Sequence, residues 1–212
     1  MSAVAFDQLV FQRRSIRRYK DEALPESWIH DILACALQAP SPSNSQPVRF
    51  VQICSQACKD RLQQALITGY ECLLAQHRSM NAPARVRNWI NAYRRYSEFM
   101  FAAPVLLAVA VSRRTQTFSQ RLAESGFTFP HCANGAEMDI TVGLALQNIL
   151  LRAQALGVGS CVLTAPLIFI QNVEEFLNIP DLAVKCFVTL GWADESPRAM
   201  DRRSLTQMVQ VI

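Results

Sequence analysis

Apolar residues recur along the chain at helical spacing in some stretches and at strand spacing in others, and their order outlines the fold. Following Leu24-Pro25-Glu26, a proline-led start signal, Ile29, Ile32, Leu33, Ala36 and Leu37 return every three or four positions and predict a helix that stops before Pro40. Residues 39–47 (APSPSNSQP) read as a loop, because proline, serine and asparagine favour turns and leave hydroxyls and amides free. Residues 48–54 read as a strand, and Ser55 is placed to cap a helix running through Leu62, Ala65 and Leu66. Residues 69–99 are polar and helical in character, with Trp89, Tyr93 and Tyr96 but no distinct motif. The unbroken apolar run VLLAVAV at 105–111 predicts a central strand buried on both faces.

Residues 113–134 read as an excursion. Residues 139–156 are apolar on nearly every side (Ile140, Leu144, Leu146, Ile149, Leu150, Leu151) and end at Gly157, the pattern of a buried central helix. A strand at 158–163, a short helix at 173–177, a turn at 178–180 and a last strand with Val184, Cys186, Val188 and Leu190 in alternation complete the pattern. Helices and strands mix without equal repeating units, which predicts a mixed sheet covered by helices. No repeat or polar linker divides the chain, so one domain over residues 1–212 is expected.

Composition narrows the class. Half of the 212 residues are hydrophobic and 18% are charged, which excludes disorder, and the longest apolar stretch, at 99–111, is too short to span a bilayer and contains Pro104. The N-terminal residues lack a charged leader followed by a sustained hydrophobic stretch. Seven cysteines (Cys35, Cys54, Cys58, Cys72, Cys132, Cys161, Cys186), an odd number in apolar surroundings, fit buried reduced thiols and a cytoplasmic location. Cys54 and Cys58 are spaced like a redox pair or half a metal site, but no second Cys/His pair has matching spacing. His30, His77 and His131 fall into no triad order or metal spacing, and surface or structural roles are expected for them.

The net charge of +4 conceals an unusual make-up: of 21 basic residues only Lys20, Lys59 and Lys185 are lysines. Guanidinium forks bind phosphate and carboxylate bidentately. Arg13, Arg14, Arg17 and Arg18 crowd around Ser15 within six positions, a density that needs an anionic partner to offset mutual repulsion, with a solvated basic face and nucleic-acid contact as the alternatives to a phosphate site. A glycine-rich phosphate turn is disfavoured: Gly157-Val158-Gly159 lies between a helix and a strand, the reverse of the dinucleotide-binding order. A bound phosphate therefore needs side-chain donors.

Taken together, QRRSIRRY followed by LQAPSPSNSQPVRF resembles the N-terminal signature of the nitroreductase family, an Arg-x-Ser-x-basic segment, then a helix, then an Ala-Pro-Ser-x-x-Asn-x-Gln-Pro loop. DITVGLALQNILLRAQALGVGSCVL is similar to the family's central helix and the strand after it, and LNIPDLAVKCFVTLGWADESPRAMDRRSL to its closing segment. The resemblance implies an α+β fold with a mixed, mainly antiparallel central sheet flanked by helices, in an intertwined homodimer. It implies FMN at the dimer interface, NADH or NADPH as transient co-substrate, and a small electron acceptor such as a nitroaromatic, quinone or enone, with ping-pong turnover. It assigns Arg13, Arg14, Ser15 and Arg17 to the phosphate, ribityl chain and pyrimidine edge, with Arg202 or Arg203 joining at the phosphate. Pro40, Ser41, Ser43, Asn44 and Gln46 would come from the partner subunit, and Thr164 and Ala165 would set backbone N–H groups against the flavin N5 edge.

Pro42 stands where many relatives have serine, Val48 where an aromatic is frequent, and Pro166 stiffens the segment after Ala165. No catalytic side chain is required, since a flavin carries the hydride chemistry and the protein binds, orients and tunes it. Two other readings compete. One is a specialised flavoenzyme of the same fold with a different redox step, such as an enone- or azole-forming oxidation or flavin cleavage. The other is a non-catalytic protein whose arginines hold nucleic acid through counterion release. No membrane partner is expected.

Overall fold

The structure, a computed structural model of the chain, describes residues 3–128 and 136–212. His131 and Cys132 lie outside the described residues. Four strands, β1 (Val48–Gln52), β2 (Val105–Ser112), β3 (Gly159–Leu163) and β4 (Leu182–Gly191), form one sheet in the order β1-β2-β4-β3, with every adjacent pair antiparallel. Helices cover both faces, which is the α+β layering expected from the sequence.

The apolar run of β2 divides by parity. Val105, Leu107, Val109 and Val111 point to one core, filled from the other side by Ile29 and Ile32 of α2 (Glu26–Ala36) and Val142 and Ile149 of α6 (Ala136–Ala155). Leu106, Ala108 and Ala110 point to the opposite core, with Leu62 and Leu66 of α3 (Gln56–Ser79), Phe169 of α7 (Pro166–Phe169) and Val173 of α8 (Val173–Leu177). A strand with helices on both faces needs no polar positions, hence the continuous run. The polar segment 69–99 resolves into the end of α3 and a second helix, α4 (Ala84–Glu98), lying against it.

Val184 departs from the expected alternation. The β2–β4 register shifts between Val109, paired with Cys186, and Ala110, paired with Val184, leaving Lys185 as an extra residue. This bulge sends Val184 to the α3 side while Cys186, Val188 and Leu190 face α2 and α6. The displaced Lys185 ammonium meets Asp139 Oδ1 of α6 at 2.7 Å.

Local chemistry sets the element ends. Ser55 accepts the Cys58 amide at the start of α3, as its N-cap position predicts. Gly157 takes the left-handed conformation (φ +73°) that closes α6, a position costly for any residue with a Cβ. Four helices among the described residues escape the hydrophobic pattern: α1 (Ala3–Gln12), α5 (Phe118–Glu124) inside the 113–134 excursion, the single turn of α7, and α9 (Leu205–Met208). Each is short, and α1 and α9 leave Phe6, Phe11, Leu205 and Met208 exposed, so no core-facing stripe marks them. α5 begins with a reciprocal capping box between Thr117 and Gln120.

The expectation of a helix buried all round is corrected for α6. Met138, Val142, Ala145, Ile149 and Ala153 are buried, but Ile140 is 63% and Leu144 41% exposed. A single chain does not cover that side of α6. The thiol expectation is corrected too: Cys161 and Cys186 are buried, Cys35 and Cys58 half-buried, and Cys54 and Cys72 exposed.

Residues 13–20 run as an extended strap beside β3. Ser15 bridges Ser160 in parallel, the Ile16 amide donates to the Ser160 carbonyl at 3.0 Å, and Ile16 lies directly over Gly159. A Cβ on Gly159 would sit 3.0 Å from three Ile16 carbons, closer than side chains pack comfortably. Gly159→Val is expected to cost about 1–3 kcal/mol of stability by overpacking, read as a lower urea midpoint at unchanged slope.

Candidate anion-binding site

Extended backbone alternates its side chains, so the strap puts Arg13, Ser15 and Arg17 on one side and sends Ile16 into the core at 7% exposure. Backbone and side-chain bonds hold that register. The Lys20 amide donates to the Trp192 carbonyl at 2.9 Å, the Asp194 amide to the Arg18 carbonyl at 3.0 Å, and Tyr19 bridges antiparallel to Ala193. The Tyr19 hydroxyl donates to the Ile16 carbonyl at 2.6 Å and lies 2.8 Å from Thr189 Oγ1. Burial holds its phenol well above the usual tyrosine range, so it stays a neutral donor.

The strap forms one wall of a cavity of about 830 Å³. Arg13, Arg14, Ser15 and Arg17 line it, the C-terminal segment brings Arg198, Met200 and Arg202, and Tyr96 of α4 and Gln147 of α6 close the sides. The volume falls within the range of small-molecule pockets. Arg17 stacks over the Tyr96 ring, 5.8 Å from its centroid. Arg14 Nη1 donates to the carbonyls of Phe11 and Arg13, so this guanidinium also closes the C-terminal end of α1. Five guanidinium groups around one cavity repel one another, and an anion placed among them removes that cost.

Beneath this wall, burial raises the Cys161 thiol above its ordinary range, while Arg17, a hydrogen bond with Ser15 and Arg13 pull it partly back. The Cys186 thiol, facing the other core, is pushed up to about 12 by burial. Burial thus favours the neutral thiol over the reactive thiolate at both positions. Cys54 and Cys58 belong to no cluster of three or more metal-ligating side chains among the described residues. His30 is exposed beside Asp31 on α2, and His77 contacts the Pro83 carbonyl at the surface.

The second group of expected residues lies elsewhere in the chain. Pro40 and Ser41 border a shallow pocket with Ile140, Thr141 and Leu144 of α6, and Ser41 and Gln46 line a smaller one with Thr141 and Ala145. Ser43 and Asn44 project outward, exposed. Among the described residues, the loop lines neither wall of the arginine cavity and borders these two pockets instead. Arg203 follows Arg202 in sequence but does not line the cavity. Thr164 and Ala165 stand at the start of α7, where first-turn amides lack intrahelical acceptors. The sequence reading missed Arg198, Tyr96 and Gln147. Arg198 belongs to the same basic tail as Arg202, whereas Tyr96 and Gln147 are brought in by the packing of two helices.

The loop is strained. Ser43, Asn44 and Gln46 have φ of 51°, 52° and 45°, in the left-handed region that favours glycine. The Ser41 hydroxyl accepts the Gln46 amide at 2.9 Å, and Gln46 Nε2 donates to Asn44 Oδ1 at 3.2 Å, which hold the shape. Left-handed non-glycine residues cost about 1–3 kcal/mol each and collect at functional sites. Gln46→Gly is expected to keep or raise the melting temperature while weakening capture of the ligand the loop serves, a split that thermal melts and ligand titration read separately.

Comparison with known proteins places this geometry. The profile of the Nitroreductase family matches residues 10–192. A 4-nitrobenzoate reductase from Nocardioides sp. (strain LMS-CY) is 27% identical over 201 residues, covering 90% of this chain and 81% of its own. Among solved structures, a BluB-like flavoprotein from Clostridium difficile 630 superimposes with a TM-score of 0.77 at 19% identity, over 97% of this chain and 98% of its own. A nitroreductase from Desulfovibrio desulfuricans crystallised with FMN gives a TM-score of 0.68 at 24% identity, over 98% and 96%. With the family profile spanning most of the chain and the sheet order, strap and basic cavity in place, the protein belongs to the nitroreductase family.

Proposed function

We propose that the protein is an NAD(P)H-dependent FMN oxidoreductase that passes electrons to a small electrophilic acceptor, a nitroaromatic, quinone or enone, from a site completed by a second copy of the chain. The cavity walled by Arg13, Arg14, Ser15, Arg17 and Arg202 carries this reading. Its donors suit FMN. Guanidinium forks match a terminal phosphate, the Ser15 hydroxyl a ribityl hydroxyl or ring edge, and the volume exceeds what phosphate alone needs. Arg198, on the same wall as Arg202, joins the phosphate donors, and Arg203 flanks them.

The loop residues Pro40, Ser41, Ser43, Asn44 and Gln46 serve the cavity of the partner. Their strained, outward-facing backbone lies beside the bare Ile140 and Leu144, an apolar strip that a second copy would bury. Across a two-fold axis the loop of one subunit meets the arginines of the other, so two equivalent sites arise from one interface. The Thr164 and Ala165 amides are assigned to the flavin ring edge.

When bound, FMN supplies the hydride chemistry. The chain's own residues bind the phosphate, orient the ring and exclude water, which explains a site without a side-chain acid, base or nucleophile in triad order. NADH or NADPH and the acceptor occupy the open face in turn, the ping-pong order. The nitroaromatic is favoured among acceptors by the 4-nitrobenzoate reductase similarity. No described helix is long and apolar enough to cross a membrane, and the free thiols fit the cytoplasm.

Purified protein is expected to be yellow, with flavin absorbance near about 450 nm that bleaches on anaerobic addition of NADH or NADPH and returns with a nitroaromatic. A colourless protein indifferent to added FMN contradicts the proposal. Sedimentation is expected to give a dimer, and a flavin-loaded monomer would refute the shared site.

A further inference from the structure

We infer that Glu195 is a positioning residue for the phosphate-binding arginines, a carboxylate clamp that ties the N-terminal strap to the C-terminal wall of the cavity. The inference rests on the FMN reading. Glu195 follows the end of β4 and directly precedes Ser196 and the cavity-lining residues Pro197, Arg198, Ala199, Met200 and Arg202. Its Oε1 accepts two consecutive backbone amides, those of Arg17 and Arg18, the latter at 3.1 Å, and its Oε2 lies 3.6 Å from Arg18 Nε. The side chain is only 20% exposed, whereas that of Arg18 is 71% exposed, so the amide contacts matter more than the surface ion pair.

These contacts complete the fixation of the strap. On its sheet side, Ile16 donates to the Ser160 carbonyl; at Arg17 and Arg18 the amides have the Glu195 carboxylate instead. The backbone of Arg17 is thereby held where its guanidinium stacks on Tyr96 at the cavity wall. The same carboxylate begins the chain segment that carries Arg198 and Arg202. Backbone bonds tie residues 18–20 to residues 192–194, and the Glu195 carboxylate extends that tie to the Arg17 and Arg18 amides, at the point where both basic walls begin.

Charge alone argues for the opposite residue. A carboxylate beside a cavity lined by five arginines lowers the attraction for an anion, so an acidic side chain here opposes binding unless the order imposed by the amides it accepts outweighs that cost. Its two effects have opposite signs and separate by substitution. E195Q keeps the accepting oxygen and removes the charge; E195A removes both.

The test is a flavin-fluorescence titration of the full-length protein freed of cofactor, with FMN and, in parallel, riboflavin, which lacks the phosphate. E195A is expected to weaken FMN binding about 10-fold or more, as leaving two backbone amides without their acceptor does, while riboflavin changes by less than about 3-fold. E195Q is expected to stay within about 3-fold of wild type for FMN, because the accepting oxygen survives. Wild-type FMN affinity in E195A, equal loss of FMN and riboflavin, or an E195Q loss as large as that of E195A each overturns the clamp. Should E195A not fold, E195D retains the charge but falls one methylene short of the amides, and it must show the FMN-selective loss. Wild type that binds neither flavin refutes the FMN reading itself, whereas failure confined to the variants refutes only the clamp.

Discussion

The chemistry of this chain depends on the backbone pairing of Ser15 with Ser160. β3 is an edge strand, and an edge exposes unpaired ladder groups that must be covered or paired. Here the cover is the arginine-bearing strap itself, laid against the edge by the Ile16 amide and sealed by Ile16 over Gly159. A segment this rich in positive charge has no reason to be extended or ordered on its own. Its order is borrowed from the sheet, and side-chain alternation then turns Arg13, Ser15 and Arg17 toward one cavity, where Arg14 and the C-terminal Arg198 and Arg202 join them.

The sheet is a suitable foundation because its centre is invariant in environment. β2 feeds one core with its odd-numbered residues and the other with its even-numbered ones, so neither face can shift without disturbing both helical layers. β4 accommodates the two layers with a bulge at Lys185, and the ion pair with Asp139 anchors α6 at that point. α6 in turn carries Gln147 to the arginine cavity and Thr141 to the serine-rich loop. One helix thus connects the two halves of the proposed site, which face different directions in a single chain.

Most of the fold was legible in the sequence because strong periodicity and strong end signals coincide there. The 105–111 run, the Ser55 cap and the Gly157 stop each have one low-energy conformation, and Pro40 and Pro47 mark the bounds of the loop though not its strained shape. The Val184 position was not legible, since a bulge changes parity without leaving a mark on the apolar pattern. Helices α1 and α9 were hidden because they bury too little in one chain to need a hydrophobic stripe. In the site, Arg13, Arg14 and Arg17 stood out as charge clustered around the Ser15 hydroxyl, whereas Arg202 was reached only through the family resemblance, which left it open against Arg203. Tyr96 and Gln147 enter through tertiary packing, and Glu195 was inconspicuous because its partners are main-chain amides rather than a recognisable side-chain motif.

The alternation along the strap also governs how this segment can vary between relatives. A substitution at Arg13 or Arg17 changes one donor and leaves its neighbours in place. Removal or insertion of a single residue between them reverses every side chain beyond that point, turning a guanidinium toward the space Ile16 fills over Gly159 and an isoleucine toward the cavity. A one-residue change of length between residues 13 and 17 therefore disturbs both the core contact and the cavity, where a replacement disturbs one of them.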